Sequence, residues 1–223
     1  QSFRTYALDF WGFGDSGKKR KTYAVQDFIS LVDQFMEQLG ISQAPLVGHS
    51  MGGTVSLSVA VQYPQRASKV VVIGSPVMGS SLSLLLKLFG RRPIGYMTYH
   101  NLWAFKYSYR LLAPLYSRDP HWAEMMDRDI SKLTLESFQM SIASLRLTDL
   151  RTSLSRVRVP VMGMYGDRDI VVSPDQWKPL QRGVPNARIE RFNKAGHFIM
   201  LDEPRTFVEK LQNFLNSEKK TDD

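Results

Sequence analysis

The chain of 223 residues contains no cysteine. That absence removes disulfides, thiolate metal sites and a cysteine nucleophile. It fits a reducing compartment, and the cytoplasm is the expected location. Histidine is scarce, with four in the chain, and no H-E-x-x-H pair offers a helical metal site. Neither a metal nor another cofactor is expected. No apolar run approaches the roughly 20 residues that span a bilayer. The greasiest stretch, 82–89, is broken by Ser83 and Lys87. No secretory signal is visible and position 1 is Gln rather than Met, so the start is expected to be processed or truncated, and N-terminal targeting information to be lost with it.

What is present is the composition of a globular domain, 43% hydrophobic and 22% charged. The length suits one sizeable core. The formal charge is +8, concentrated at Lys18-Lys19-Arg20-Lys21, at Arg91-Arg92 and at Arg146, Arg151, Arg156 and Arg158. Such clusters read as solvated faces, and with no nucleic-acid module beside them no nucleic-acid partner is expected.

Short apolar runs alternate with helical patterns. Residues 3–10, 44–47, 69–73, 159–165 and 187–192 read as strands; 25–39, 51–63 and 204–215 read as helices. This alternation predicts an α/β fold, a mostly parallel sheet with helices on both faces. One interval is too long for a crossover: 86 positions separate Ile73 from Val159. Its surplus is rich in Leu, Tyr and Trp, including Leu84, Leu85, Tyr96, Tyr99, Trp103, Tyr107 and Leu111, and 133–147 has a helical pattern. An inserted helical lid over 77–150 is expected, between core parts at 1–76 and 151–223. The plainer reading is ordinary helices packing on the core, and both hold together, since a lid needs a core side.

Chemistry enters at Gly48-His49-Ser50-Met51-Gly52-Gly53, which matches G-x-S-x-G between a strand and a small-residue helix. A tight strand–helix turn lifts the Ser50 hydroxyl above the sheet and turns the Met51 backbone N–H toward an oxyanion position. A serine needs a base. His197 sits on a loop past the 187–192 strand and is the expected one; His49 reads as packing, and His100 and His121 lack patterned neighbours. The base needs an acid. Asp169 lies past the 159–165 strand, whereas Asp167 is closer to the strand and reads as a turn residue bonding local N–H groups. Ser50, Asp169 and His197 then form a Ser…Asp…His order.

Gly12-Phe13-Gly14-Asp15-Ser16-Gly17 also fits G-x-G-x-x-G after a strand. The acidic residue of a dinucleotide site should end a second strand about 20 positions on, where a helix is expected instead. A P-loop reading fails at Lys19, which stands where Ser or Thr should bind magnesium.

With these residues in hand, the chain resembles α/β-hydrolase-fold proteins of the lid-bearing esterase and lipase type. The resemblance rests on Asp9-Phe10-Trp11-Gly12-Phe13-Gly14-Asp15-Ser16, on 48–53, on 166–169 and on Gly196-His197 with Glu203-Pro204 behind it. It implies Ser50, Asp169 and His197 as a catalytic triad. Dehalogenases and epoxide hydrolases of the fold use an Asp nucleophile, against which Ser50 argues. The resemblance also implies strands ahead of residue 3 and a loop giving a second oxyanion N–H. The chain is then either a fragment, which is the expectation, or has half an oxyanion hole. The expected activity is hydrolysis of a small hydrophobic ester through an acyl-enzyme. C–C, thioester or amide hydrolysis, or a non-catalytic binding role, are the alternatives. The lid aromatics and basic clusters add a weak membrane-surface contact as a further expectation.

Overall fold

The β-branched run at 69–73 lies in β2 (Ala67–Ile73), an inner strand of a four-stranded parallel sheet. The structure is a computed structural model and describes residues 3–91, 93, 96, 97 and 101–217. The other strands are β1 (Ala44–His49), β3 (Val161–Gly166) and β4 (Arg188–Phe192), in the order β1-β2-β3-β4. Val70 lies opposite Leu46 of β1 and Val161 of β3, and Met162 lies opposite Arg188 of β4. Alternate side chains serve opposite faces of a strand. Val70 and Val72 join Val161 and Tyr165 in one cluster; Val71 and Ile73 join Met162 and Met164 in another. Both sets are buried, as a parallel sheet covered on both faces requires.

The helices are α1 (Val25–Gln38), α2 (Met51–Gln62), α3 (Leu84–Phe89), α4 (Leu102–Leu111), α5 (Ala113–Tyr116), α6 (Trp122–Ser131), α7 (Leu135–Leu147), α8 (Trp177–Gly183), α9 (Ile199–Asp202) and α10 (Pro204–Asn216). Leu57 and Ala60 of α2 and Leu180 of α8 cover the first face, and Ile199 of α9 and Phe214 of α10 cover the second. Helix α1 packs on α2 through the stripe that holds Val25, Phe28 and Ile29, and Gly40 ends it at φ +65°, a conformation that favours glycine. One charged residue lies within β2. Lys69 is buried, and its ammonium donates to the carbonyls of Phe214 at 2.8 Å, Leu215 at 2.9 Å and Ser217. A cation at a helix C-terminus satisfies the last carbonyls and opposes the helix dipole.

Helices α3 to α7 fall between β2 and β3. Their stretch leaves and returns through one neck, where Gly79 N–H donates to Thr148 O (2.8 Å) and Leu150 N–H to Val77 O (3.0 Å). Of the residues noted in this stretch, Arg92, Tyr99 and His100 lie outside the described residues.

The expectation of a strand at 3–10 is corrected. The segment has no regular secondary structure, and among the described residues no backbone bond joins it to β1. A strand exists only by pairing, and this segment is anchored by side chains instead. Tyr6 meets Phe35 of α1 edge-on, with ring centroids 6.0 Å apart, and Phe10 stacks on Phe28 at 4.6 Å. The glycines that follow close a turn on themselves, with Gly12 N–H donating to Gly17 O at 2.9 Å. A Cβ on Gly12 would lie 2.3 Å from Ser137 Cβ of α7, and the Ser137 hydroxyl donates to Gly12 O at 2.9 Å. The glycine is explained by the close approach of α7, so no nucleotide is needed to account for the motif.

Candidate active site

The site grows from the end of β1. Ser50 follows the last strand residue and precedes the first residue of α2, and it is the one non-glycine residue with positive φ among the described residues (φ 52°, ψ −122°). That conformation is strained for a side chain and persists only when the surroundings impose it. They do so here. Ser50 N–H donates to Ile73 O at 2.8 Å, and a Cβ on Gly48 would lie 2.2 Å from the Gly52 carbonyl carbon. The first N–H groups of a helix have no intrahelical acceptor. Those of Met51 and Gly52 have no partner among the described residues, while Gly53 and Thr54 N–H both turn back to Ser50 O. The start of α2 therefore offers free donors beside the serine, at the positive end of a helix dipole.

Asp169 and His197 meet across 28 positions of chain. Asp169 Oδ2 accepts from His197 Nδ1 at 2.7 Å, and both residues are buried. The other carboxylate oxygen accepts from the N–H groups of Val171 (2.8 Å) and Val172 (2.9 Å). This carboxylate has all its bonds fixed by the fold, and the Nδ1 bond leaves Nε2 as the free ring atom of His197. Asp167 instead takes a surface pair with Arg191 (2.8 Å) rather than the local N–H groups expected of it. His121 is exposed, with Glu124 at 3.5 Å, far from the role of a buried base.

Gly74 ties the pair to the serine. It directly follows Ile73, whose carbonyl holds Ser50, and it has φ +54°. A Cβ there would come within 3.2 Å of His197 Nδ1 and 3.4 Å of Asp169 Oδ2. The ends of β1, β2, β3 and the loop after β4 therefore converge at one point, where ligands of open α/β sheets bind. The Ser50 hydroxyl has no hydrogen bond among the described residues, and unliganded active sites commonly leave such bonds open.

His49 does more than pack. Its Nε2–H donates to His197 O at 2.9 Å, and its ring lies 4.6 Å from the His197 ring. Burial pulls its pKa down to about 3, with the nearby His197 ring adding to the effect, so it is a neutral donor at ordinary pH. Phe198 packs on both histidines, and Trp122 of α6 meets Phe198 at 5.8 Å while stacking on Tyr116 at 5.0 Å. No signal in the sequence announced Gly74 or the second role of His49, because both act on His197, more than 100 positions away. Two surface hollows, of about 530 Å³ along α10 and about 640 Å³ at the 11–20 turn, are lined by none of these residues, so chemistry rather than concavity locates the site. Among the described residues, no group of acidic or histidine side chains could hold a metal.

A strained serine between strand and helix, with a carboxylate–histidine pair at neighbouring strand ends, defines a hydrolase of the α/β-hydrolase fold. The comparisons agree. An esterase from Exiguobacterium antarcticum superposes with a TM-score of 0.80 at 19% identity, covering 94% of this chain and 80% of that one. The uncharacterized hydrolase YugF of Bacillus subtilis is 30% identical over 217 residues, which span 94% of this chain and 79% of that protein. A 2-hydroxymuconate semialdehyde hydrolase from Pseudomonas putida is 24% identical over 235 residues, covering 96% and 78%. The family described as serine aminopeptidase, S33, matches residues 1–204, and the chain belongs to it.

Proposed function

We propose that the protein hydrolyses carboxylic esters with a hydrophobic acyl or alkyl group through an acyl-enzyme on Ser50. The observation that carries this reading is the buried Asp169–His197 pair at 2.7 Å, set beside the strained Ser50. His197 Nε2 takes the Ser50 proton as the hydroxyl oxygen attacks the ester carbonyl carbon. The carbonyl oxygen becomes an oxyanion beside the Met51 N–H. His197 then gives the proton to the departing alkoxide, and the C–O bond breaks. Water repeats the sequence on the acyl-enzyme and frees the acid. Asp169 stays ionised throughout, holding the tautomer and stabilising the imidazolium.

The closed neck at 77–79 and 148–150 supports reading 77–150 as a lid between core parts at 1–76 and 151–223, with Trp122 contacting Phe198, the residue after His197. A cytoplasmic setting belongs to the same reading. The test is a fluorophosphonate probe and a p-nitrophenyl ester series on the protein and its Ser50→Ala variant. Wild-type labelling and turnover, both lost in the variant, are expected. Absence of wild-type labelling, or equal turnover by the variant, refutes the reading.

Two observations favour additions to it. The similarity to a 2-hydroxymuconate semialdehyde hydrolase makes C–C bond hydrolysis the second chemistry to assay, with 2-hydroxymuconate semialdehyde as substrate. Helix α4 also presents Trp103, Tyr107 and Leu111 at i, i+4 and i+8, exposed by 76%, 69% and 69%. Lys106 and Arg110 of the same helix pair with Asp127, so the attraction to an anionic lipid surface, the occupant proposed for this face, comes from the apolar stripe and the overall charge of +8. Co-sedimentation with phosphatidylserine vesicles, lost at high salt and in Trp103→Ser, is the expected result, and no binding at low salt removes it.

A further inference from the structure

Asp202 lies five positions past His197, at the end of α9, and no motif assigned it a role. Its carboxylate accepts three hydrogen bonds from two distant parts of the chain. Oδ2 takes the N–H of Gly196, the residue before His197, at 2.7 Å. Oδ1 takes the Ser117 hydroxyl and the Arg118 N–H, each at 2.7 Å. Ser117 is buried, and it follows α5 directly. The two parts touch as well as share the carboxylate: a Cβ on Gly196 would lie 3.0 Å from Tyr116 O. On the far side of the histidine loop, the stack of Tyr116 on Trp122 and the contact of Trp122 with Phe198 repeat the connection through aromatic rings.

We infer that Asp202 is a positioning residue for His197, and that the same carboxylate latches the 113–122 stretch so that its docking and the placement of the base depend on one group. The inference rests on the proposed serine-hydrolase reading. The backbone of His197 is then held on both sides, by Asp202 through Gly196 N–H and by His49 through His197 O. The chemistry of the site demands a carboxylate. The Gly196 and Arg118 N–H groups can only donate and face opposite oxygens, so asparagine would have to set its NH₂ against one of them. One half of the connection fails whichever way the amide turns.

The experiment compares the wild type with Asp202→Asn, Asp202→Glu and Ser117→Ala. It reads the second-order rate of fluorophosphonate labelling, kcat and KM for p-nitrophenyl acetate and decanoate, and Tm. Asp202→Asn is expected to slow labelling and kcat for both esters by about tenfold or more, the scale of a lost charge-assisted hydrogen bond. Asp202→Glu keeps two acceptor oxygens and is expected to recover part of the labelling rate. Ser117→Ala keeps the Gly196 bond, so labelling is expected to stay within about twofold while KM rises for decanoate and not for acetate. Labelling of Asp202→Asn at the wild-type rate with a lowered Tm would make the residue merely structural and overturn the inference. Should Asp202→Asn not fold, Ser117→Ala decides: equal KM changes for the two esters overturn the latch. Wild-type labelling that depends on Ser50 separates these outcomes from failure of the hydrolase reading itself.

Discussion

The sheet and the helical stretch between β2 and β3 use the same kinds of residue to opposite ends. In β2 and β3, Val70, Val71, Val72, Met162 and Met164 are all fully enclosed. In the stretch, Trp103, Tyr107, Leu111 and Leu115 are mostly in water. The enclosed half fixes the Asp169 carboxylate and His197 Nδ1 in hydrogen bonds. The stretch reaches that half through a narrow neck, one shared carboxylate and a few stacked rings. On the proposed reading the labour is divided: the sheet would set the reaction, and the stretch would set what reaches it. Substitutions that strike one side should leave the other's signature intact.

The largest effect is expected at Asp169. Asp169→Asn keeps the shape and removes the charge and the correct tautomer of His197, so kcat should fall by about 10⁴-fold, with KM little changed. A loss below tenfold under steady-state assay would mean that another group fixes the imidazole. Next in size is the core beneath the site. Met164→Ala empties space in a fully buried cluster and should cost about 2–5 kcal/mol of stability by urea unfolding. A cost near zero would show that the inner face is not packed as tightly as its burial implies.

Much of the enclosed half was legible in the sequence. Short apolar runs marked β2 and β3 to within two residues, and the 3.6-residue stripe marked α1 with its terminal glycine. The site residues Ser50, Asp169 and His197 could be picked out because each follows a strand, and the folded chain brings the latter two together. The 3–10 strand failed for a physical reason: alternation describes one chain, whereas pairing needs a neighbour, and Phe10 found α1 instead. Asp167 read as a local turn residue because Arg191, 24 positions away, was invisible to local reasoning. His49 and Asp202 share that difficulty. Their partners lie 148 and 85 positions off in sequence, and no periodicity encodes such a contact.

A smaller effect, visible in acid, concerns His49. Its pKa near 3 in the folded protein lies below the ordinary value of 6.5 that the unfolded chain regains. Between these values the unfolded state holds the extra proton, so stability is full above pH 6.5 and is lost as pH falls toward 3. The limiting slope is about 1.4 kcal/mol per pH unit. Asp127, held at about 2 chiefly by the Tyr109 hydroxyl bond, loses its own contribution only below its ordinary value of 3.8, outside a comparison of pH 7 with pH 5. Urea unfolding at pH 7 and pH 5 should show the wild type losing stability more steeply than His49→Asn. Parallel losses would mean that the ring next to His197 takes up its proton without opening the fold.

The smallest effect is expected on the exposed stripe, and it tests the comparison most directly. Leu111 is 69% exposed at the end of α4, so Leu111→Ser removes little buried area. Its stability cost should stay within about 0.5 kcal/mol, against the several expected at Met164. Fluorophosphonate labelling of Ser50 should also be unchanged, because the hydrogen bonds described around His197 run to Asp169 and His49, and that of the preceding Gly196 to Asp202. The effect should appear only where a lipid surface or a long acyl chain meets the helix, as weaker vesicle binding and a raised KM for decanoate. If Leu111→Ser instead destabilises the protein as much as Met164→Ala, the stripe is part of the core, and the two halves of the molecule do the same work.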